Sequence, residues 1–210
     1  MASLTIGGTS GFKSVIIRSN HFIVKAYYGR DGGICCDAEE NKAFCKIKWI
    51  SILECLLPPV FIVSVCLFLR IKNPIALALC VFGFTFLLDE ITSRGRNHGA
   101  EHKVISAFGK KTPLILEDVQ KESRFSSACG SNFFPGILAY MFMLQINPGH
   151  MMLISIIIAV IITVLGLIIS GNFPNFSFQQ LTTREPTNRE LNLAIEAMQA
   201  IIILEKIEIE

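Results

Sequence analysis

Two histidines and a glutamate stand in the order H-x-x-E-H at His98, Glu101 and His102, inside the stretch RGRNHGAEHKVI (94–105). Residues four apart share one face of a helix, so neutral imidazoles at 98 and 102 could hold one metal ion between them. Glu101 would then lie beside the water that such an ion acidifies and would take its proton as a general base. H-x-x-E-H is one of the arrangements found among zinc-dependent hydrolases. A catalytic site of this kind needs a third protein ligand, and Cys129, Glu90 and Asp89 each have suitable chemistry. Zinc or another divalent metal is the cofactor this reading implies.

The competing reading is plainer. His98 and His102 are then polar residues at a junction, with Glu101 paired to Arg96, Lys103 or a neighbour. Gly99 weakens a helix at this point by about 1 kcal/mol relative to alanine. Lys103 beside a divalent cation is unfavourable unless its ammonium points away. His21, in a strand pattern, and His150, in a four-residue connector, lack comparable company and read as structural.

Something must position these residues. The content of GAEHKVISAF predicts a helix over His98–Phe108 that begins at or just before His98. LEDVQKESRF (116–125) reads as a second, short helix, and SSACGSN (126–132) as a loop. At the head of the chain, SVIIRSNHFIVKAYY (14–28) is rich in β-branched and aromatic residues and breaks at Ser19–Asn20. With the turn GRDGG (29–33) and the start of a strand at Ile34–Cys36, it predicts a β-meander of two or three strands. At the tail, Thr187 and Glu190 form a capping box after Pro186, and Leu191, Ile195, Met198 and Ile202 recur at helical spacing. That stripe predicts a helix docked against the rest of the protein.

Composition sets the expected class. Of 210 residues, 51% are hydrophobic and 17% charged, against about a quarter charged in soluble domains. The deficit comes from four apolar blocks, 50–70, 73–91, 132–146 and 151–170, which predict a helical integral membrane protein with about four spans in two hairpins and a small cytoplasmic α+β portion. The segments are a β-meander (1–48), a first hairpin (49–91), a polar segment with the histidines (92–131), a second hairpin (132–170), and a linker with an amphipathic helix (171–210). Lys and Arg number seven in 1–48 and seven in 92–128, but two in one connector and none in the other. That bias places both termini and the histidine segment on the cytoplasmic side, with the lipid bilayer as partner.

A net charge of +2 gives no reason to expect nucleic acid. Seven cysteines, several in apolar runs, argue against a disulfide framework, and Cys35–Cys36 is adjacent rather than C-x-x-C. The N-terminus lacks the basic and apolar regions of a signal peptide. Glu54, Asp89 and Glu90 fall at the ends of the expected spans, which argues against a conduction path. A protein partner or homo-oligomer is left open.

GGTSGFKSVIIRS (7–19), HGAEHKVI (98–105), LEDVQKESRFSSACGSNF (116–133) and LTTREPTNRELNLAIEAM (181–198) resemble four stretches of the YqhQ family of bacterial membrane proteins: its GGQAVIEGVMMRS head, its HGAEHK signature, a pattern ending HPRCGTSF and its LTTREP tail. The resemblance implies a bacterial cytoplasmic membrane location and metal-dependent enzyme chemistry. It carries Arg18, His98, Glu101, His102, Lys103 and Cys129 as site residues, with Cys129 the candidate third ligand. The chain looks like a shortened, divergent member. The family's Gln and Glu in the head fall on Thr9 and Lys13, a later Glu on Gly109, and the His and Arg of HPRCG on Ser126 and Ala128. Two functions are therefore carried forward. One is a metal-dependent hydrolase with Glu101 as base. The other is a non-enzymatic scaffold or regulator descended from one.

Overall fold

The computed structural model describes residues 6–41, 92–126, 129–133 and 179–206, with isolated helical positions at 76, 79, 80, 83, 87, 157, 158, 160–162, 164, 165 and 168. The chain divides into two compact units, one of residues 1–45, 89–126 and 183–210 and the other of 46–88 and 127–182.

The first unit is an α+β sandwich. Its sheet is an antiparallel meander in the order β1 (Gly7–Ser10), β2 (Ser14–Arg18), β3 (Phe22–Tyr28), β4 (Ile34–Glu40). Register puts Val15 opposite Ala26 and Ile17 opposite Val24. Side chains alternate across a strand, so these four share one face, and all four are fully buried. Gly32, with φ of 82°, makes the left-handed turn between β3 and β4. The charged strand β4, with Asp37, Glu39 and Glu40 exposed, ends the sheet, and charge on an edge strand discourages further pairing.

Helix α1 (Arg94–Gly109) and helix α4 (Asn188–Glu205) cover the buried face. Ala100, Val104 and Ala107 come from α1, and Leu191, Ala194, Ile195, Met198, Ile201 and Ile202 from α4. Each fully buried valine, leucine, isoleucine or methionine side chain among them stabilises the sandwich by about 1.5–3 kcal/mol, and these spacings are helical. The docked stripe and the Thr187–Glu190 capping box therefore form as the sequence predicts, with the Thr187 amide donating to Glu190 Oε2 at 2.9 Å. Helix α2 (Leu116–Lys121) is shorter than the sequence suggests and buries Val119. In the second unit, a 3-10 turn at Gly130–Phe133 meets the short helix α3 (Gln179–Thr182), where Gln179 Nε2 donates to Asn132 Oδ1 at 2.9 Å.

The expected fold class is corrected. The described residues form a four-stranded antiparallel sheet with helices, and none of these helices is long and apolar enough to cross a membrane. The longest, α4, is amphipathic: Arg189, Glu196 and Glu205 interrupt it, and its apolar side is already buried in the sandwich. The same finding overturns the expected transmembrane character and the multi-pass localisation in a bacterial cytoplasmic membrane with cytoplasmic termini. The four apolar blocks that carried those expectations lie, apart from isolated positions, outside the described residues, as do Glu54, Asp89, Glu90 and His150.

Candidate metal centre

Helix α1 begins one turn earlier than its apolar content suggests, at Arg94, and this places His98 and His102 well inside regular helix. Their rings meet edge to face with centroids 4.5 Å apart. Gly99 is there for space. A methyl group on it would overlap the carbonyl oxygen of Arg184, so only glycine lets the 183–187 segment cross this face of α1, where the Arg184 amide also donates to the Gly95 carbonyl at 2.9 Å.

His102 is buried, and its Nδ1 lies 2.6 Å from the carbonyl oxygen of Arg124. A carbonyl can only accept, so Nδ1 carries the hydrogen and Nε2 keeps its lone pair for a ligand. A backbone partner on the far ring nitrogen is how metal-binding histidines are oriented. Burial lowers the His102 pKa, with the Arg124 bond opposing it, and this favours the neutral imidazole that a metal requires.

His98 and His102, one turn apart on α1, are the two candidate ligands that the first unit brings together, and Cys129 lies in the second unit. Two imidazoles and a thiolate suit zinc in type and number. Cys129 is buried, with its Sγ 3.1 Å from Ser131 Oγ.

Glu101 is 4% exposed and packs against strand β1. An added Cβ on Gly8 would lie 2.7 Å from its Cγ, Cδ and Oε1. Its Oε2 is buried without a hydrogen-bond partner. Burial pushes the carboxyl up to about 8, with the charge of Arg18 pulling the other way. An unsatisfied buried carboxylate is costly, and a cation next to it would both satisfy that oxygen and favour its charged form.

The remaining sequence candidates divide. Arg18, exposed at the end of β2, lies close enough to act on Glu101 through its charge. Lys103 does not compete with a cation: its buried Nζ donates to the Gln120 carbonyl at 2.6 Å and pairs with Glu185 at 2.7 Å. His21 Nδ1 lies 2.9 Å from Glu205 Oε2, a structural contact at the far end of α4. The pairing of Glu101 to Arg96 or Lys103 expected in the plainer reading is not among the described contacts. Gly8 and the Arg124 carbonyl were missed. A glycine pair in a strand signals a close approach, but a backbone carbonyl leaves no trace in side-chain pattern.

Residues 75–203 match the model of a family described as protein of unknown function (DUF1385). The chain belongs to the DUF1385 family. It is 33% identical over 127 residues to the uncharacterized protein YqhQ of Bacillus subtilis (strain 168). That alignment covers 51% of this chain and 40% of the relative, so the chain matches well under two thirds of the relative's length. No solved structure matches. The DUF1385 match contains His98, Glu101, His102 and Cys129, whereas Gly8 and Arg18 precede it.

Proposed function

We propose that this chain holds one divalent metal, zinc by the chemistry of the donors, on His98, His102 and Cys129, and uses it for hydrolysis with Glu101 as general base. The pairing of His98 and His102 on one face of α1, with rings 4.5 Å apart and His102 Nδ1 taken by the Arg124 carbonyl, carries the reading, and Cys129 enters by its chemistry as the third ligand. The bound metal would supply a Lewis acid that lowers the pKa of water. Glu101 offers the unsatisfied Oε2 as the place a proton goes. Arg124 fixes which nitrogen of His102 faces the ligand side. Gly8 leaves room for the Glu101 side chain against β1.

A second reading, a metal-stabilised scaffold without turnover, is favoured by the burial of His102 and Cys129, since structural zinc sites are closed. Metal analysis of the purified full chain tests the shared premise. Stoichiometric zinc is expected in the wild type and not in His98→Ala or His102→Ala, and a metal-free wild type ends both readings. In cobalt-substituted protein, a thiolate charge-transfer band lost in Cys129→Ser would report the third ligand. Glu101→Gln separates the two readings. Loss of hydrolysis of an ester or amide panel with metal retained supports the enzyme, and a metal-loaded wild type inert to the whole panel supports the scaffold.

A further inference from the structure

A second recess lies in the first unit, a cavity of about 400 Å3 that none of His98, Glu101, His102 and Cys129 lines. Its charged walls are Lys13, Arg189 and Glu190, and its apolar walls are Tyr28, Gly29 and Leu193. We propose that this cavity binds a small organic phosphate, its phosphate between Lys13 and Arg189 and its carbon body against Tyr28 and Leu193.

Arg189 is held through its side chain, and Lys13 through its backbone. The Arg189 guanidinium sits over the Tyr28 ring at 4.4 Å, and the Tyr28 hydroxyl donates to the Arg189 carbonyl at 3.0 Å. Lys13 lies within a tight turn, in which the Gly11 amide donates to the Ser14 carbonyl at 2.9 Å. That turn is tied to the start of α1 by Asn97 Nδ2 donating to the Gly11 carbonyl at 2.9 Å and by Ser93 Oγ donating to the Phe12 carbonyl.

Neither cation has an acidic partner among the described residues. The acids nearby are otherwise engaged. Glu190 takes the Thr187 amide and hydroxyl in the capping box, and Asp31, beside Gly29, accepts from the Gly33 amide at 3.2 Å. The polar lining groups Ser93 and Asn97 each give a hydrogen to the 11–12 backbone, which leaves charge as the main recognition element. The first turn of α4, which carries Arg189, adds the positive end of a helix dipole.

Size and charge choose the ligand. Cavities of roughly 300–1,000 Å3 suit small organic molecules, and inorganic phosphate alone would leave the apolar walls unused. An arginine fork with a lysine favours a compact dianion over a monoanionic carboxylate.

The test is a titration of the full chain with phenyl phosphate, inorganic phosphate, benzoate and phenol, followed by calorimetry and by chemical-shift changes. Saturable binding of phenyl phosphate is expected, with weaker binding of inorganic phosphate and benzoate and none of phenol. Each of Lys13→Ala and Arg189→Ala should cut the affinity about tenfold, the worth of one charge-assisted hydrogen bond. Both side chains are exposed, so folding should survive, and circular dichroism checks it. Binding should persist in His98→Ala, which separates this site from the metal. Absence of binding at millimolar phenyl phosphate, unchanged affinity in both variants, or benzoate binding as tightly as phenyl phosphate would overturn the proposal.

Discussion

Gly8 of β1 leaves the space that the Glu101 side chain fills: a Cβ at this position would come within 2.7 Å of Cγ, Cδ and Oε1 of that glutamate. Gly8→Ala must push the carboxylate aside or part the strand from α1, and overpacking of this kind costs about 1–3 kcal/mol. Gly7, one residue earlier, has nothing within 4 Å of its own added Cβ. Urea unfolding should therefore find Gly8→Ala destabilised and Gly7→Ala near wild type. Combining Gly8→Ala with Glu101→Ala should recover part of the loss. Equal costs for the two alanines would disprove the close approach.

Gly99 and Gly109 lie on the same helix and make the opposite pair. At Gly99 the obstacle is the Arg184 backbone, which cannot swing away as a side chain can, whereas Gly109 faces open space. Alanine is intrinsically better than glycine in a helix by about 1 kcal/mol. Gly109→Ala should raise the unfolding midpoint slightly or leave it unchanged. Gly99→Ala should lower it despite the better propensity, because the 183–187 segment must lift off α1. A stabilised Gly99→Ala would contradict the packing seen here.

Those glycines also mark where the sequence was readable. The tail helix was, because its capping box and its stripe from Leu191 to Ile202 are local patterns with one physical meaning. Strand β1 was not, since GGTS has neither alternation nor β-branched weight, and it pairs because β2 offers an open edge and Glu101 needs the gap. Helix α1 was placed late because Arg94–Asn97 lacks apolar residues, yet Gly95 and Asn97 are buried by backbone contacts from distant segments. The H-x-x-E-H spacing supplied the two histidines. Cys129 is one of three third-ligand options that spacing cannot sort, and the other two, Asp89 and Glu90, lie outside the described residues. The membrane class rests on four apolar blocks that lie, apart from isolated positions, outside the described residues, and the helices that are described are not long and apolar enough to span.

Lys103 is a buried cation whose charge holds two segments to α1. Its Nζ donates to the Gln120 carbonyl and pairs with Glu185, which is 65% exposed. Lys103→Met keeps the methylenes but strands the carbonyl, so a loss of about 1–3 kcal/mol is expected. Glu185→Gln removes a solvated partner and should cost about 1 kcal/mol or less. Chemical denaturation of both variants checks the order, and a larger cost for Glu185→Gln would reverse the assignment.

Glu205 closes α4 onto the β2–β3 turn. Its carboxylate accepts from Ser19 Oγ at 2.5 Å, from the His21 amide at 3.2 Å, and lies 2.9 Å from His21 Nδ1. The Ser19 hydrogen bond and then the His21 contacts hold its pKa below the ordinary carboxylate value. A carboxylate whose folded pKa is depressed stabilises the fold fully above its unfolded pKa, about 4.3 for glutamate. That stabilisation is lost as pH falls through the lower folded value. The stability gap between wild type and Glu205→Gln should therefore be constant near neutrality and shrink on acidification below about pH 4.5. Urea unfolding of both proteins from pH 7 down to pH 3 measures it. A gap that holds unchanged to the acid end would mean that the carboxylate's charge contributes nothing to this junction.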